Sequence, residues 1–296
     1  MTSLRYVLIT PARNEGAFIA KTIESVIHQT VLPTKWVIVN DGSTDDTGTI
    51  VEKYLPQHSW IELITMPNRR DRSFAGKVYC FNAGLERLQS LDYDVIANVD
   101  ADVSFDQDHF EFLMDKLANF PKLGVTSTGY TEHGHVARYS FKDVAGQCQV
   151  FRRKCFEEIG GYFPSKYGGV DWIAVRMARM KGWKTITFTE RTFCHHRLMG
   201  TAETSPLHSR IHYGKKDYFL GNHPLWELFR VVYQMTHKPY LIGGLLLAYG
   251  YMVAFLTRME RPVSKELVKF NQQEQLERIK LTLKGLLKLK MNAFET

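Results

Sequence analysis

The sequence predicts an α/β fold: a mostly parallel sheet flanked by helices, followed by a C-terminal helical extension. Three observations predict it. Short apolar, β-rich runs alternate with segments of helical period through the first half of the chain, at the spacing of βαβ units. Polar, carboxylate-bearing clusters recur directly after those runs. Beyond about residue 205 the alternation stops, and aromatic, apolar and basic segments replace it.

The elements follow in order. Residues 6–10 (YVLIT) are too short for a helix and end at Pro11, which reads as a buried strand. In residues 17–30, Phe18, Ile19, Thr22, Ile23, Val26 and Ile27 share one helical face. Residues 35–40 (KWVIVN) form the second strand, and the turn Asp41-Gly42-Ser43 follows. Asp45 is expected to cap a helix running to Tyr54. Residues 61–66 are a third strand, 76–89 a helix, 94–99 a fourth strand and 106–119 a helix. Residues 123–153 hold short β-prone pieces. Gly160-Gly161 and Gly168-Gly169 bracket a loop, a helix starts at Asp171, and 183–188 (WKTITF) are a strand. These elements define a first domain, residues 1–204, and an extension, residues 205–296. In the extension, 224–237 read as an aromatic amphipathic helix, and 239–257 carry no charge over 19 positions. That barely reaches the roughly 20 residues of a membrane span, and three glycines weaken it further.

Composition narrows the class. The chain has 296 residues, with 44% hydrophobic and 23% charged residues, the range of folded globular domains. Its net charge of +7 fits an anionic membrane surface or a phosphorylated substrate. Acidic residues cluster around 92–115, while Arg278, Lys280, Lys284, Lys288 and Lys290 alternate with Leu and Ile near the C-terminus. That basic amphipathic pattern suits a membrane surface rather than nucleic acid; a solvated helix face is its other reading. Cys80, Cys148, Cys155 and Cys194 show no CxxC spacing, as expected of small core thiols in a reduced cytoplasmic compartment. No apolar leader precedes the first strand, so a secretory signal is not expected.

In open α/β sheets, ligands bind beyond the carboxyl ends of the strands. Those ends carry Pro11, Arg13, Asn14 and Glu15 after the first strand, Asp41 and Ser43 after the second, and Asp100 and Asp102 after the fourth. The Asp100-Ala101-Asp102 triplet can direct two carboxylates to one side, where they repel each other unless a cation lies between them. Oxygen ligands of this kind suit Mg²⁺ or Mn²⁺ bridging a diphosphate. A turn closed by local Asp hydrogen bonds is the bland alternative. Asp41 reads as a turn residue or as an acceptor for a nucleotide base. Glu15 reads as a first-turn acid or a ribose ligand, and Lys77 as a surface lysine or a phosphate partner. Asp171 reads as an N-cap or as a general base toward an acceptor hydroxyl. In Cys194-His195-His196-Arg197, after the last predicted strand, one histidine reads as structural or as a third metal ligand.

Together, the segments TPARNEGAFIAKTIESVIHQT (10–30), WVIVNDGSTDDT (36–47), GKVYCFNAG (76–84), VDADV (99–103) and GGVDWIAVRMARMKGWK (168–184) resemble the family 2 glycosyltransferases of GT-A fold, over residues 5–200. The resemblance implies an inverting, metal-dependent transferase using a UDP- or GDP-type nucleotide-diphosphate sugar and Mn²⁺ or Mg²⁺. By it, Pro11, Arg13, Glu15 and Asp41 hold the nucleoside and Lys77 is the donor-side lysine. Asp100 lies at the ribose and metal, Asp102 binds the metal, and His195 or His196 adds to it. Asp171 is the catalytic base. Val170 stands where many members carry an acid. The Gln-x-x-Arg-Trp motif of processive members is absent after residue 172, so single-sugar addition is expected. Residues 218–234 look like the tails of polysaccharide-assembly transferases that act on lipid-linked acceptors. That implies a saccharide or lipid-linked acceptor at the cytoplasmic face of a membrane, bound peripherally or monotopically. The segment 239–257 then reads as membrane-inserted, as core or as a homo-oligomer contact. Two alternatives stand beside this reading: a metal-dependent nucleotidyltransferase, against which PARNEG replaces the usual Gly-rich phosphate loop, and a membrane-attached, non-catalytic nucleotide-sugar-binding subunit.

Overall fold

The apolar runs of the first half become strands; three of them are buried on both faces, and the edge run at 61–65 is only partly buried. In the computed structural model, which describes residues 4–67, 74–132, 134–137, 141–165, 168–197 and 206–294 (of 74, 206 and 286–294 the backbone alone), the chain forms two compact units, Met1–Leu198 and Met199–Thr296. The boundary expected after residue 204 lies outside the described residues.

In the first unit, β1 (Tyr6–Ala12), β2 (Lys35–Asn40), β3 (Ile61–Thr65) and β4 (Val95–Val99) are parallel, in the order β3-β2-β1-β4. Strand order therefore reverses between β1 and β4, and such a switch point opens a crevice at the carboxyl ends. Pro11 is tolerated in this central strand. The Ala12 carbonyl accepts from Asp41 N (2.8 Å), so Ala12 faces β2 and Pro11 faces β4, where the ladder has already ended at Ile9.

The rest of the sheet adds antiparallel strands. β5 (Val103–Ser104), β6 (Leu123–Glu132), β7 (His135–Val136), β8 (Cys148–Arg152) and β9 (Lys184–His195) complete a mixed sheet. β8 runs antiparallel between β4 and β6, β9 lies parallel to β6, and β5 runs antiparallel to β9. β9 is twice the length expected from WKTITF. A register shift against β6 between Thr128 and Gly129 lets it continue through the polar Thr189-Glu190-Arg191 stretch as far as His195, inside the strand rather than after it.

Period-2 alternation sends Tyr6, Leu8, Trp36 and Ile38 to one face, and Val7, Ile9, Val37 and Val39 to the other. The first face is covered by α1 (Ile19–Ile27), through Ile19, Ile23 and Val26, and by α4 (His109–Asn119), through Phe110, Leu113 and Leu117. The second is covered by α3 (Phe74–Glu86), α5 (Arg153–Glu158) and α6 (Val170–Met180). The helix expected from Asp45 is α2 (Thr47–Glu52), with Asp46 at the N-cap. Asp45 instead accepts from Thr47 N and from Gly16 N, tying the β1 and β2 exits together.

The second unit is helical: α7 (Pro206–Phe219), α8 (Pro224–Met235), α9 (Ile242–Leu256) and α10 (Lys265–Phe294). Pro224 at the first position and the His223 ring, which accepts from Leu225 N, start α8. The glycines of the uncharged segment are packing points. A Cβ on Gly250 would stand 2.1 Å from the Ile211 carbonyl oxygen, one on Gly214 2.0 Å from that of Leu247, and one on Gly244 2.6 Å from that of Val231. α9 thus approaches α7 and α8 backbone to backbone. A buried amide cluster joins α10 to the start of α8: Asn222 Oδ1 accepts from Asn271 and Gln275, and Gln275 Oε1 accepts from His223 N. Among the described residues, no helix is long and apolar enough to cross a membrane. Lys288 and Lys290 of the expected basic pattern have side chains outside the described residues.

Candidate active site

The Asp100–Asp102 turn is fastened by its own backbone. Asp100 N donates to the Gln147 carbonyl (2.8 Å), and His196 N donates to that of Asp102 (2.9 Å). The Thr22 hydroxyl of α1, fully buried, bonds the carbonyls of Ala101 (2.9 Å) and Val103 (2.7 Å). The turn enters β5, whose register places Val103 opposite His195, while β6 places Glu132 opposite the same histidine. Strand pairing therefore brings three residues distant in sequence together. His195 Nε2 stands 3.5 Å from Asp102 Oδ2, and its Nδ1 stands 2.8 Å from Glu132 Oε1. His196 turns elsewhere: its Nε2 meets the Ser104 hydroxyl (3.0 Å) and its ring stacks beside Phe18.

Asp100 has a different partner. Lys77, from α3, sets its ammonium 2.5 Å from Asp100 Oδ1 and 3.4 Å from the Gly146 carbonyl, which also accepts from Asn98 Nδ2 (3.1 Å). The Asp171 carboxylate lies on the same glycine: a Cβ at Gly146 would stand 2.5 Å from Asp171 Oδ2. Asp171 is the second residue of α6, half-buried in its first turn. Gly169, at φ 78°, is the N-cap, so the capping reading of Asp171 is replaced. Gln149 anchors this end of α6: its amide donates to the Asp171 carbonyl (3.3 Å) and its oxygen accepts from Tyr162 OH (2.8 Å). Lys77 is thus half-buried and paired with Asp100.

The β1 and β2 exits are stitched into one ledge. Asn14 N donates to the Ser43 hydroxyl, Thr44 N to Asn14 Oδ1, and Glu15 N to the Thr47 hydroxyl. Arg13 lies 3.5 Å from the buried Asp41 carboxylate. Arg197 links this ledge to the triplet: its guanidinium bonds Glu15, lies 3.4 Å from Asp102 Oδ2 and covers the Phe18 ring.

Charge is strongly polarised here. Burial lifts the Asp102 carboxyl, but His195 and Arg197 outweigh it and hold the group below its usual range. Burial lifts Asp100, Lys77 pulls it down and Asp102 lifts it again, leaving it above the usual range. Burial works against the Lys77 charge, yet Asp100, with Asp171 and Asp102 behind it, keeps the ammonium above its ordinary value. Glu15 is pushed up to about 7 by burial and by Asp102, with Arg197 offsetting part of the rise.

Among the described residues, no three His, Cys, Asp or Glu side chains close into a ready cation cage. The donor set nevertheless fits a hard divalent ion. It offers carboxylate oxygens and an imidazole Nε2 whose other nitrogen is oriented by a carboxylate, the outer-shell arrangement of metal-bound histidines. Glu132, Arg197, Gly146 and Thr22 escape sequence reasoning. Arg197 stands in the CHHR run that draws attention to the histidines, but the other three carry no local signal.

Comparison with known proteins follows the same lines. The chain is 28% identical over 114 residues to poly-beta-1,6-N-acetyl-D-glucosamine synthase of Staphylococcus aureus (strain COL), covering 38% of this chain and 26% of the synthase, about a quarter of that protein's length. Its structure resembles the mannosyltransferase PcManGT of Pyrobaculum calidifontis, solved with GDP-Man and Mn²⁺, with a TM-score of 0.58, 16% identity and coverage of 93% of this chain and 86% of that one. It also resembles Staphylococcus aureus TarS 1-349 in complex with UDP-GlcNAc, with a TM-score of 0.56, 16% identity and coverage of 90% and 78%. These likenesses identify the fold as GT-A. The sequence profile described as Glycosyl transferase family 2 matches residues 7–160, more than half of the chain. The carboxylate-lined edge at the β1–β4 switch point is therefore that of a family member: the chain belongs to glycosyl transferase family 2.

Proposed function

We propose that the chain is an inverting glycosyltransferase that moves a single sugar from a UDP- or GDP-linked donor to the hydroxyl of a lipid-linked saccharide, in polysaccharide or glycolipid assembly. The observation that carries this reading is that Lys77 bonds both Asp100 and the Gly146 carbonyl while the Asp171 carboxylate packs against the same Gly146, with Asp102 beside His195. Lys77 and the triplet lie where a donor diphosphate is held. Asp171, on a different element, packs against the same Gly146. A base on one side and a stabilised leaving group on the other is the layout of a direct displacement.

In this reading residues 1–204 are the catalytic domain and 205–296 a membrane-associated extension at the cytoplasmic face. Pro11, Arg13, Glu15 and Asp41 hold the nucleoside on the stitched ledge, and Asp100 reaches the ribose. Asp100, Asp102 and His195, the histidine nearer Asp102, hold Mn²⁺ or Mg²⁺. A bound divalent ion supplies charge neutralisation for the leaving diphosphate. Asp171 takes the proton of the attacking hydroxyl. One carboxylate on the attacking side suits inversion, because attack by the acceptor itself needs no covalent sugar intermediate. The absence of Gln-x-x-Arg-Trp after residue 172 suits single-sugar addition. The solved relatives bound to GDP-Man and UDP-GlcNAc support a nucleotide-sugar donor without choosing its base.

Product analysis tests the reaction class. Incubation with UDP- and GDP-sugars, Mn²⁺ and a polyprenyl-linked acceptor is expected to release nucleoside diphosphate and to invert the anomeric configuration. Release of pyrophosphate would instead support nucleotidyl transfer. A chain that binds donor by calorimetry but releases neither nucleoside diphosphate nor pyrophosphate would be a non-catalytic nucleotide-sugar-binding subunit.

A further inference from the structure

α9 is apolar on every side, a composition that belongs in a core or in lipid. Only half of it is covered. Gly243, Gly244, Leu247, Gly250, Tyr251 and Ala254 are buried, and its glycines are pressed onto the α7 and α8 backbones. The opposite stripe, with Leu245, Tyr249 and Met252, is open, and α8 beside it leaves Leu228, Val232 and Tyr233 open as well. These six side chains are 48% to 61% exposed. Such a continuous apolar face on two adjacent helices needs a cover.

Charge indicates which cover. The exposed Lys238 and Arg258 stand at the two ends of α9, which has no charged residue of its own. Residues 199–296 hold 14 Lys and Arg against 8 Asp and Glu, so they carry +6 of the chain's +7. A second copy would bring another +6 against the first, whereas an anionic leaflet neutralises it. α9, at 15 residues, is about five short of a span. Its tyrosines match the amphipathic side chains favoured at the lipid headgroup level.

We infer that the outer face of α8 and α9 is a monotopic membrane-binding surface, lying in the plane of an anionic phospholipid leaflet with Leu245, Tyr249 and Met252 among the acyl chains and Lys238 and Arg258 at the headgroups. The inference rests on the membrane association proposed above and specifies its surface; it is independent of the transfer chemistry.

Flotation of the full chain with vesicles tests it. The protein is expected to float with phosphatidylcholine–phosphatidylglycerol vesicles and much less with phosphatidylcholine alone. Leu245→Ser/Tyr249→Ser/Met252→Ser, all at exposed positions, should cut flotation about tenfold or more. Lys238→Glu/Arg258→Glu should cut flotation on the anionic vesicles by a similar factor and leave the apolar face intact. Unchanged flotation of either variant, equal flotation on both vesicle types, or no flotation of the parent chain overturns the proposal. So does a lipid-free dimer that the triple variant dissociates. Thermal shift of the same variants with UDP- and GDP-sugars and Mn²⁺ reads the donor site separately, so a failure of lipid binding is distinct from a failure of the transferase reading.

Discussion

The Thr22 hydroxyl of α1 fixes the Asp100–Asp102 turn through two buried carbonyls. Thr22→Val keeps the shape and removes both bonds. It should lower stability by about 1–3 kcal/mol, the cost of leaving buried carbonyls unpaired, and raise the Mn²⁺ concentration needed for half-maximal transfer. Chemical denaturation and a metal titration read the two effects. Gly146→Ala acts at the other end of the site. Its Cβ would meet the Asp171 carboxylate at 2.5 Å, so turnover should fall sharply with donor affinity little changed, as a comparison of kcat with the donor Kd would show. These residues also mark where sequence reading stops. Asp100, Asp102 and Asp171 stand out because each follows a recognisable strand or glycine pair. Thr22 looks like any residue on an amphipathic face, and its role exists only once α1 is laid against the turn.

At the scale of elements, the parallel β1–β4 half was legible because each strand is a short apolar run beside a helix of clear period. The β6–β9 half was not. Glu132 meets His195 through a ten-residue strand and a twelve-residue strand whose register shifts, and no local pattern encodes that pairing. Likewise, the glycines of 239–257 counted against a straight membrane span, and the structure uses them for close helix contact. Gly250→Ala should therefore destabilise the helical unit by about 1–3 kcal/mol or more, as overpacking does, with hydrogen exchange rising first in α7 and α9. The same unit holds a second sequence-silent feature. Glu227 is buried beside the Asp217 carboxyl, and burial and Asp217 push it up to about 8. A carboxyl raised on folding contributes its full stability below its unfolded pKa, near 4.5, and loses it as pH rises toward 8. Exchange protection in α8 should thus weaken from pH 5 to pH 8, by at most roughly 1.4 kcal/mol per pH unit. Glu227→Gln should flatten that dependence.

For the whole molecule, the two units divide the charge: the sheet unit is almost neutral, and the helical unit carries nearly all the excess of Lys and Arg. Composition alone raised the question of a membrane, and the exposed α8–α9 face supplies a place for one. The central claim concerns the sheet unit, where Lys77 of α3 and Asp171 of α6 both lie against Gly146 and are proposed to hold a donor and to deprotonate an acceptor. The most direct measurement of it is turnover by purified Asp171→Asn at saturating donor and metal, with donor affinity measured alongside. Removal of a general base predicts a drop of about 10²- to 10⁴-fold in kcat with donor Kd nearly unchanged. Turnover equal to that of the parent enzyme would contradict the account.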